Sequence, residues 1–360
     1  MSNYPNPEYD FFNGLSRCYV AAKTGAIIAP YVIDIHPVSG RCNLDCRWCF
    51  GRVERKIIEP LPEVLTKETL IYILGKVLDS RWYPLWPSEF HICGNDSEPL
   101  LSDAVLPTIR FLLQRNRIVE LVTNGLMLDK PDIISTVSRI NKLNISLDVT
   151  NDDDYQKFKL PKGISLDGYT RVLNNIRNII KYRKENEIKS KLHISVSFVA
   201  TTENYTEDKF HNCFNELRDI GVNRIRVRDD LFEIYGKVSD LKCQIKNMNA
   251  NIEEIDIDYI SPEKPYSEFV YCRGPRLWPA LAADGYLYPC AHVANSKYQP
   301  FGNLMTANSL IELYQELFYP PGKSFITVER IGCHRQCPSV LGRYNEPSLV
   351  EKILKKSSFI

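Results

Sequence analysis

Between residues 31 and 230, short runs of β-branched and aromatic residues alternate with longer stretches whose apolar positions recur every three or four residues. The short runs are YVIDI (31–35), EFHIC (89–93), IVELVT (118–123), LNISLDV (143–149), LHISVSFV (192–199) and NRIRV (223–227). Their length and their Val, Ile and Phe content predict strands. From Gly168 to Lys184, Val172, Ile176, Ile179 and Ile180 share one helical face. From Thr206 to Ile220, Phe210, Phe214 and Leu217 do the same, with Thr206 as the N-cap. Strands alternating with helices imply right-handed βαβ units and a parallel sheet. Six units fall short of a closed eight-stranded barrel and predict an open, partial one, a (β/α)6 TIM-like arrangement of the α/β class.

After about residue 231 the rhythm breaks, and tyrosine, proline and glycine become frequent. ADGYLYPC (283–290) reads as a tight turn leading into a short strand. The chain therefore divides into an N-terminal extension (1–30), a partial barrel (31–235), a small C-terminal domain (236–345) and a tail helix (346–360).

Composition narrows the class. The net charge of +1 offers no electrostatic track along nucleic acid. The start, MSNYPNPEYDFFNG, lacks a basic-then-apolar signal, and no apolar run reaches membrane-spanning length. A cytoplasmic protein with no nucleic-acid or membrane partner is expected. In a reducing compartment, clustered cysteines are more often metal ligands or catalytic thiols than disulfides. Of eleven cysteines, Cys42, Cys46 and Cys49 form one group, and Cys272, Cys290, Cys333 and Cys337 a second.

The first group stands in GRCNLDCRWCFG (40–51) as C-x3-C-x2-C. Three thiolates on a cubane iron–sulfur cluster leave one iron without a protein ligand, since full ligation takes four. An open iron can bind a small molecule directly, as the open position of a catalytic zinc does. A zinc site completed by a distant fourth ligand, or three idle thiols, is the alternative. The second group supplies four thiols, the count for one fully ligated cubane or for a four-cysteine zinc knot.

C-x3-C-x2-C with Trp48 before the last cysteine resembles the radical S-adenosylmethionine (SAM) superfamily. CGNDSEPLL (93–101) is similar to that family's GGEP segment with two residues inserted, and VTNGLML and ISLDVT look like the same branch. Each motif follows its strand, so all would meet at the carboxyl ends, where parallel α/β folds bind ligands. The resemblance implies a SAM-binding 4Fe–4S cluster on Cys42, Cys46 and Cys49. It implies Glu98 on the SAM amino group, Trp48 beside the adenine, and Asn124, Ser146 and Arg226 as further cofactor contacts. Relatives often hold the SAM carboxylate with an arginine after the fourth strand; this chain has Lys157 and Lys159 there. Arg226 and Arg228 are otherwise expected to pair with acids, Asp229 and Asp230 being nearest.

Cys272 and Cys290, spaced C-x12-G-x4-C around Gly285, resemble the opening of SPASM/twitch extensions. With only Cys333 and Cys337 following, the resemblance implies a twitch domain with a single auxiliary 4Fe–4S cluster. The activity implied is reductive SAM cleavage to a 5′-deoxyadenosyl radical that takes hydrogen from a substrate carbon, fed by a flavodoxin or ferredoxin. Oxidation or epimerisation of a small polar metabolite (a sugar, cyclitol or aminoglycoside-like compound) is the leading outcome, with Cys243 as candidate hydrogen donor. With 41 residues before Cys42, no fused leader-peptide-binding domain is expected, although a peptide-modifying maturase is the next reading. A non-catalytic iron–sulfur or zinc regulator would explain the thiols but not Glu98, Asn124 and Ser146 on one rim.

Overall fold

The computed structural model describes residue 16 and residues 28–49, 59–78, 87–161, 167–230, 235–260, 271–272, 274–317 and 326–327. In chain order its main elements are β1 (Val32–Ile35), α1 (Lys67–Val77), β2 (Glu89–Ile92), α2 (Val105–Leu113), β3 (Ile118–Thr123), α3 (Pro131–Val137), β4 (Lys142–Ser146), α4 (Gly168–Glu185), β5 (His193–Ala200), α5 (Glu207–Ile220), β6 (Arg224–Asp229), α6 (Leu241–Asn251), β7 (Asp256–Ile260), β8 (Ala280–Leu281), β9 (Tyr286–Tyr288), β10 (Gly302–Asn303) and α7 (Leu310–Leu317). All six predicted strands and both predicted helices are present, in an α/β fold with parallel, unclosed pairing.

The chain forms two compact units, one of residues 37–58 and 92–262 and the other of residues 1–36, 59–91 and 263–360. In the first, β3 to β7 lie in sequence order, each parallel to the next. Strand side chains alternate between faces, and here the two faces differ in kind. Leu121, Leu143, Ile145, Ile194, Val196, Phe198, Ile225, Val227 and Ile257 form one face and are all buried. Phe198 meets Phe210 and Phe214 of α5 at ring separations of 5.4 Å. The opposite face carries Asn144, Ser146, Ser195, Ser197, Arg224, Arg226, Asp256 and Asp258, in register from strand to strand. Helix α5 starts on Thr206, whose hydroxyl accepts the Lys209 N–H, and ends on Gly221 at φ 99°.

The repeat runs on past residue 235. Helix α6 and strand β7 add a further unit to the sheet, with Asp258 opposite Arg226, and this compact unit extends to Pro262. DIDYI escapes a hydrophobicity reading because its alternate residues are acidic.

In the other unit the strand order is β10-β9-β8-β1-β2. β1 runs parallel to β8, pairing Asp34 with Ala280 and Ile35 with Leu281, while β9 is antiparallel to its neighbours. The predicted tight turn is present, with Gly285 at φ 78° and its N–H on the Ala282 carbonyl. Leu61, Ala280, Ala282, Tyr288 and Ala294 form a small core. Lys76 ties α1 down by donating to the carbonyls of Leu304, Met305 and Ala307 at 3.2, 3.0 and 2.6 Å. Cys333, Cys337 and the expected tail helix lie outside the described residues. Among the described residues, no helix is long and apolar enough to cross a membrane.

Candidate active site

The cysteine loop, residues 40–49, is fastened on three sides within its unit. The loop after β2 holds its start: the Gly40 N–H donates to Asp96 at 2.8 Å, Glu98 N–H to the Arg41 carbonyl at 3.0 Å, and the Ser97 hydroxyl to the Val38 carbonyl at 2.7 Å. The segment after β4 holds its middle. Asp45 N–H donates to the carbonyls of Lys159 and Leu160, Arg47 N–H to that of Phe158, and Leu44 forms a β-bridge with Pro161. The turn after β3 holds the third side, where the Asn124 amide donates to Asn43 at 2.7 Å and lies 3.8 Å from the Cys42 sulfur.

The three thiols share one electrostatic field. Burial pushes the Cys46 thiol up to about 12; Lys159 opposes the shift, while Cys49, Asp148 and Cys42 add to it. Burial also raises Cys42, against the Leu44 N–H and with Glu98 and Cys49 adding. Thiols held protonated in this way lose their protons on binding metal, so metal binding here is coupled to proton release. Three soft sulfur donors in one fastened loop fit an iron–sulfur cluster. Tyr155, whose buried hydroxyl has no partner among the described residues, lies within electrostatic range of Cys46 and Cys42.

Glu98 is buried, and burial raises its carboxyl above the ordinary range, opposed by its hydrogen bonds. Oε1 accepts from the Thr123 hydroxyl at 2.7 Å and the Leu100 N–H at 3.2 Å, and Oε2 from the Asn124 N–H at 2.8 Å. A carboxylate has about four acceptor positions, so roughly one remains for an ammonium donor. Glu98 thus joins three loops as well as offering a contact. Asn124 combines turn and site: its side-chain oxygen accepts the Leu126 N–H at 3.1 Å while its amide reaches the cysteine loop. Gly125 follows at φ 83°, and a Cβ there would meet Val172 at 3.0 Å and Ile145 at 3.2 Å, so only glycine fits without displacement.

β4 ends at Ser146, and Asp148, expected within the strand, takes φ 62° beyond it. Of the two candidate lysines, Lys157 is exposed, with Nζ 4.7 Å from the Phe158 ring centre, and Lys159 is the buried one. The cause is the π-helical turn Tyr155–Lys159, which turns Lys159 inward. Lys159 Nζ donates to Asp148 at 2.7 Å and to the Ser146 carbonyl at 2.8 Å. Burial works against its charge, but Asp148 and Cys46 outweigh it and hold the ammonium above the ordinary lysine range. Trp48 is buried against Phe158 at 5.3 Å and Tyr235 at 6.4 Å, so much of its ring surface faces protein.

Arg226 and Arg228 depart from expectation. Asp229 accepts from the Tyr259 hydroxyl and Asp230 from the Tyr235 N–H, and among the described residues no bond joins either acid to Arg226 or Arg228. The acids are taken because Asp229 falls on the other face of the strand. Ser146 is half-buried and its carbonyl, not its hydroxyl, is engaged. Cys243 lies exposed on α6, Cys213 is buried beside the Tyr169 hydroxyl at 3.4 Å, and Cys290 is half-buried. Sequence reading missed Lys159's buried partner Asp148, for which the only sequence signal is an Asp that can tolerate positive φ.

No protein-family model matches the chain. A probable GTP 3′,8-cyclase of Methanocaldococcus jannaschii is 24% identical over 278 residues, covering 70% of this chain and 82% of the relative. A GTP 3′,8-cyclase of Lactiplantibacillus plantarum is 28% identical over 197 residues, about half of each chain. Among solved structures, Streptococcus suis SuiB bound to the precursor peptide SuiA superimposes with a TM-score of 0.61 at 14% identity, over 96% of this chain and 80% of SuiB. The structure of anSMEcpe with bound AdoMet gives 0.55 at 16% identity, over 92% and 97%.

Proposed function

For a chain that belongs to the radical SAM superfamily, we propose hydrogen-atom abstraction from a carbon of a small polar metabolite, ending in oxidation or epimerisation. The observation that carries this reading is the convergence on one unit of three features: the fastened three-cysteine loop, the Glu98–Asn124 contact to it, and a polar sheet face beside them. Cys42, Cys46 and Cys49 would hold a 4Fe–4S cluster whose fourth iron position takes SAM. When bound, that pair supplies a reductive cleavage of SAM, for which a flavodoxin or ferredoxin is the proposed electron donor.

The chain's own residues then do the positioning. Asn124 orients the Cys42 side of the loop, and Glu98 keeps one acceptor position for the SAM amino group. Lys159 accepts the Asp45 N–H of the loop on its carbonyl while its ammonium ties the same segment to the end of β4 through Asp148 and Ser146, and Lys157 is left outside. Ser146 offers an uncommitted hydroxyl at the strand end. On the auxiliary site we propose that Cys272, Cys290, Cys333 and Cys337 hold a second, closed cluster in a twitch-type domain, with Cys243 available as a hydrogen donor. A cytoplasmic location is part of the same reading.

Sequence relatives named for a nucleotide substrate favour a small, polar molecule. A peptide substrate is the second reading, favoured by the SuiB structure with its precursor peptide; cyclisation is the outcome the relatives' names add. Anaerobic reconstitution tests the cofactor assignment: about eight irons per chain are expected for two clusters. About four irons would remove the auxiliary cluster, and stoichiometric zinc would remove both. Glu98→Ala should weaken SAM binding with first-cluster iron retained, and unchanged SAM affinity would remove Glu98 from the site.

A further inference from the structure

On the polar face of the β3–β7 sheet, the lateral row level with Ser146 reads Ser146, Ser197, Arg226, Asp258, and the next row toward the carboxyl end reads Val199, Arg228, Ile260. Strand alternation sends Arg224, Arg226 and Arg228 to the same face. Arg224 is spoken for, bonded to Asp258 and 3.3 Å from Asp256. Ser197 is spoken for as well, donating to Asn144 at 2.8 Å. Arg226 and Arg228 are not: among the described residues neither has a hydrogen bond or an ion pair, and both retain solvent access. Two guanidinium groups on alternate residues of one strand thus keep their N–H donors unengaged among the described residues, although Asp258 lies opposite Arg226 and Asp256 feels its charge. They sit two strand spacings, about 10 Å, from Ser146.

Guanidinium groups bind carboxylate and phosphate oxygens through paired N–H donors, which a lysine cannot reproduce. We propose that Arg226 and Arg228 form an anion subsite for the substrate, so that the metabolite carries a carboxylate or phosphate group on the side facing β6. That the anion is the substrate's rests on the proposed function; that the pair binds an oxyanion does not. The position explains the geometry: an anion held on β6 leaves the rest of a small molecule lying across Ser197 toward Ser146 and the cysteine side.

The full chain, reconstituted anaerobically, is titrated calorimetrically with inorganic pyrophosphate and separately with succinate, at constant ionic strength. Wild type is expected to bind at least one of them saturably in the millimolar range, and the stronger of the two names the anion class. R226Q/R228Q should weaken that binding roughly tenfold or more, and R226K/R228K, which keeps the charge but loses the paired donors, by several-fold. R177Q/K181Q removes the same charge from the exposed face of α4 and should change it less than about twofold. Circular dichroism of R226Q/R228Q should match wild type, and an unchanged SAM affinity would set the substrate subsite apart from the SAM contact that the sequence resemblance implies for Arg226.

Absence of saturable binding in wild type overturns the subsite, as does an equal loss in R177Q/K181Q. Loss of SAM affinity in R226Q/R228Q overturns it too, by placing the arginines on the SAM carboxylate. A chain that binds the probe through these arginines but takes up no SAM keeps the subsite and sinks the proposed reaction instead.

Discussion

The cysteine loop and strand β6 belong to one compact unit and are built on opposite plans. Along the loop, Gly40, Arg41, Asn43, Leu44, Asp45 and Arg47 each carry a bond to a different segment, mostly through the backbone. Along β6, the backbone is held in the sheet while two of three arginine side chains are held by nothing described. The contrast separates two demands. A group that stays bound through many turnovers needs ligands at fixed positions, which backbone hydrogen bonds provide cheaply. A molecule that arrives and leaves needs hydrogen-bond donors that the fold has not already engaged.

The comparison breaks most sharply at the loop. Cys46→Ala removes a central thiol that is buried among its neighbours. Iron should fall by roughly four per chain and SAM cleavage should cease, while circular dichroism stays native because the backbone bonds remain. Retention of cluster and cleavage would mean that the three thiols do not act as one ligand set.

Next in size is the buried pair behind the loop. Lys159 and Asp148 are nearly inaccessible, at 2% and 6% exposure, and removing one partner leaves the other charge stranded. Lys159→Met should cost about 3–5 kcal/mol in urea denaturation, and adding Asp148→Asn should return part of it. Arg226→Gln, by contrast, should change stability by less than about 0.5 kcal/mol, as substitution of an unengaged surface side chain does. Similar costs for Lys159→Met and Arg226→Gln would erase the distinction between the two regions.

Legibility in the sequence follows the same divide. The strands of the parallel sheet were readable because their helix-facing positions are Val, Ile, Leu and Phe. The meeting of the cysteine loop with Glu98 and Asn124 was readable because short motifs fall directly after strands, where the fold brings loops together. The choice between Lys157 and Lys159 was not readable: it depends on a π-turn that adds a residue to the helical period and changes which side chain points inward. Nor was the positive φ of Asp148. The free state of Arg226 and Arg228 was hidden for a different reason. Adjacency to Asp229 and Asp230 suggests pairing, whereas strand alternation and Tyr259 take Asp229 away. β7 was missed because its residues on the polar face are acids that answer Arg224.

The smallest effect tests the field of the arginine strand without any ligand. His193 opens β5 on the same face as Arg224 and Arg226, level with Lys142. Burial lowers its pKa from 6.5 to about 4, with Arg224, Arg226 and Lys142 adding and Glu120 opposing. In the unfolded chain the ring titrates near its ordinary value. Above that value both states are neutral and the contribution to stability is fully present. As pH falls from 6.5 toward 4 the unfolded state takes up the proton first, so stability is lost across that window. The loss is about 1–2 kcal/mol once solvent screening of the partly exposed ring is allowed for. His193→Asn should flatten this part of the stability profile. Because burial is the larger cause and Arg224 precedes Arg226, Arg226→Gln should raise the His193 pKa only slightly, read from the ring proton resonance against pH. A His193 that titrates identically in wild type and Arg226→Gln would mean that the guanidinium points away from this face, and the anion subsite would lose its geometric basis.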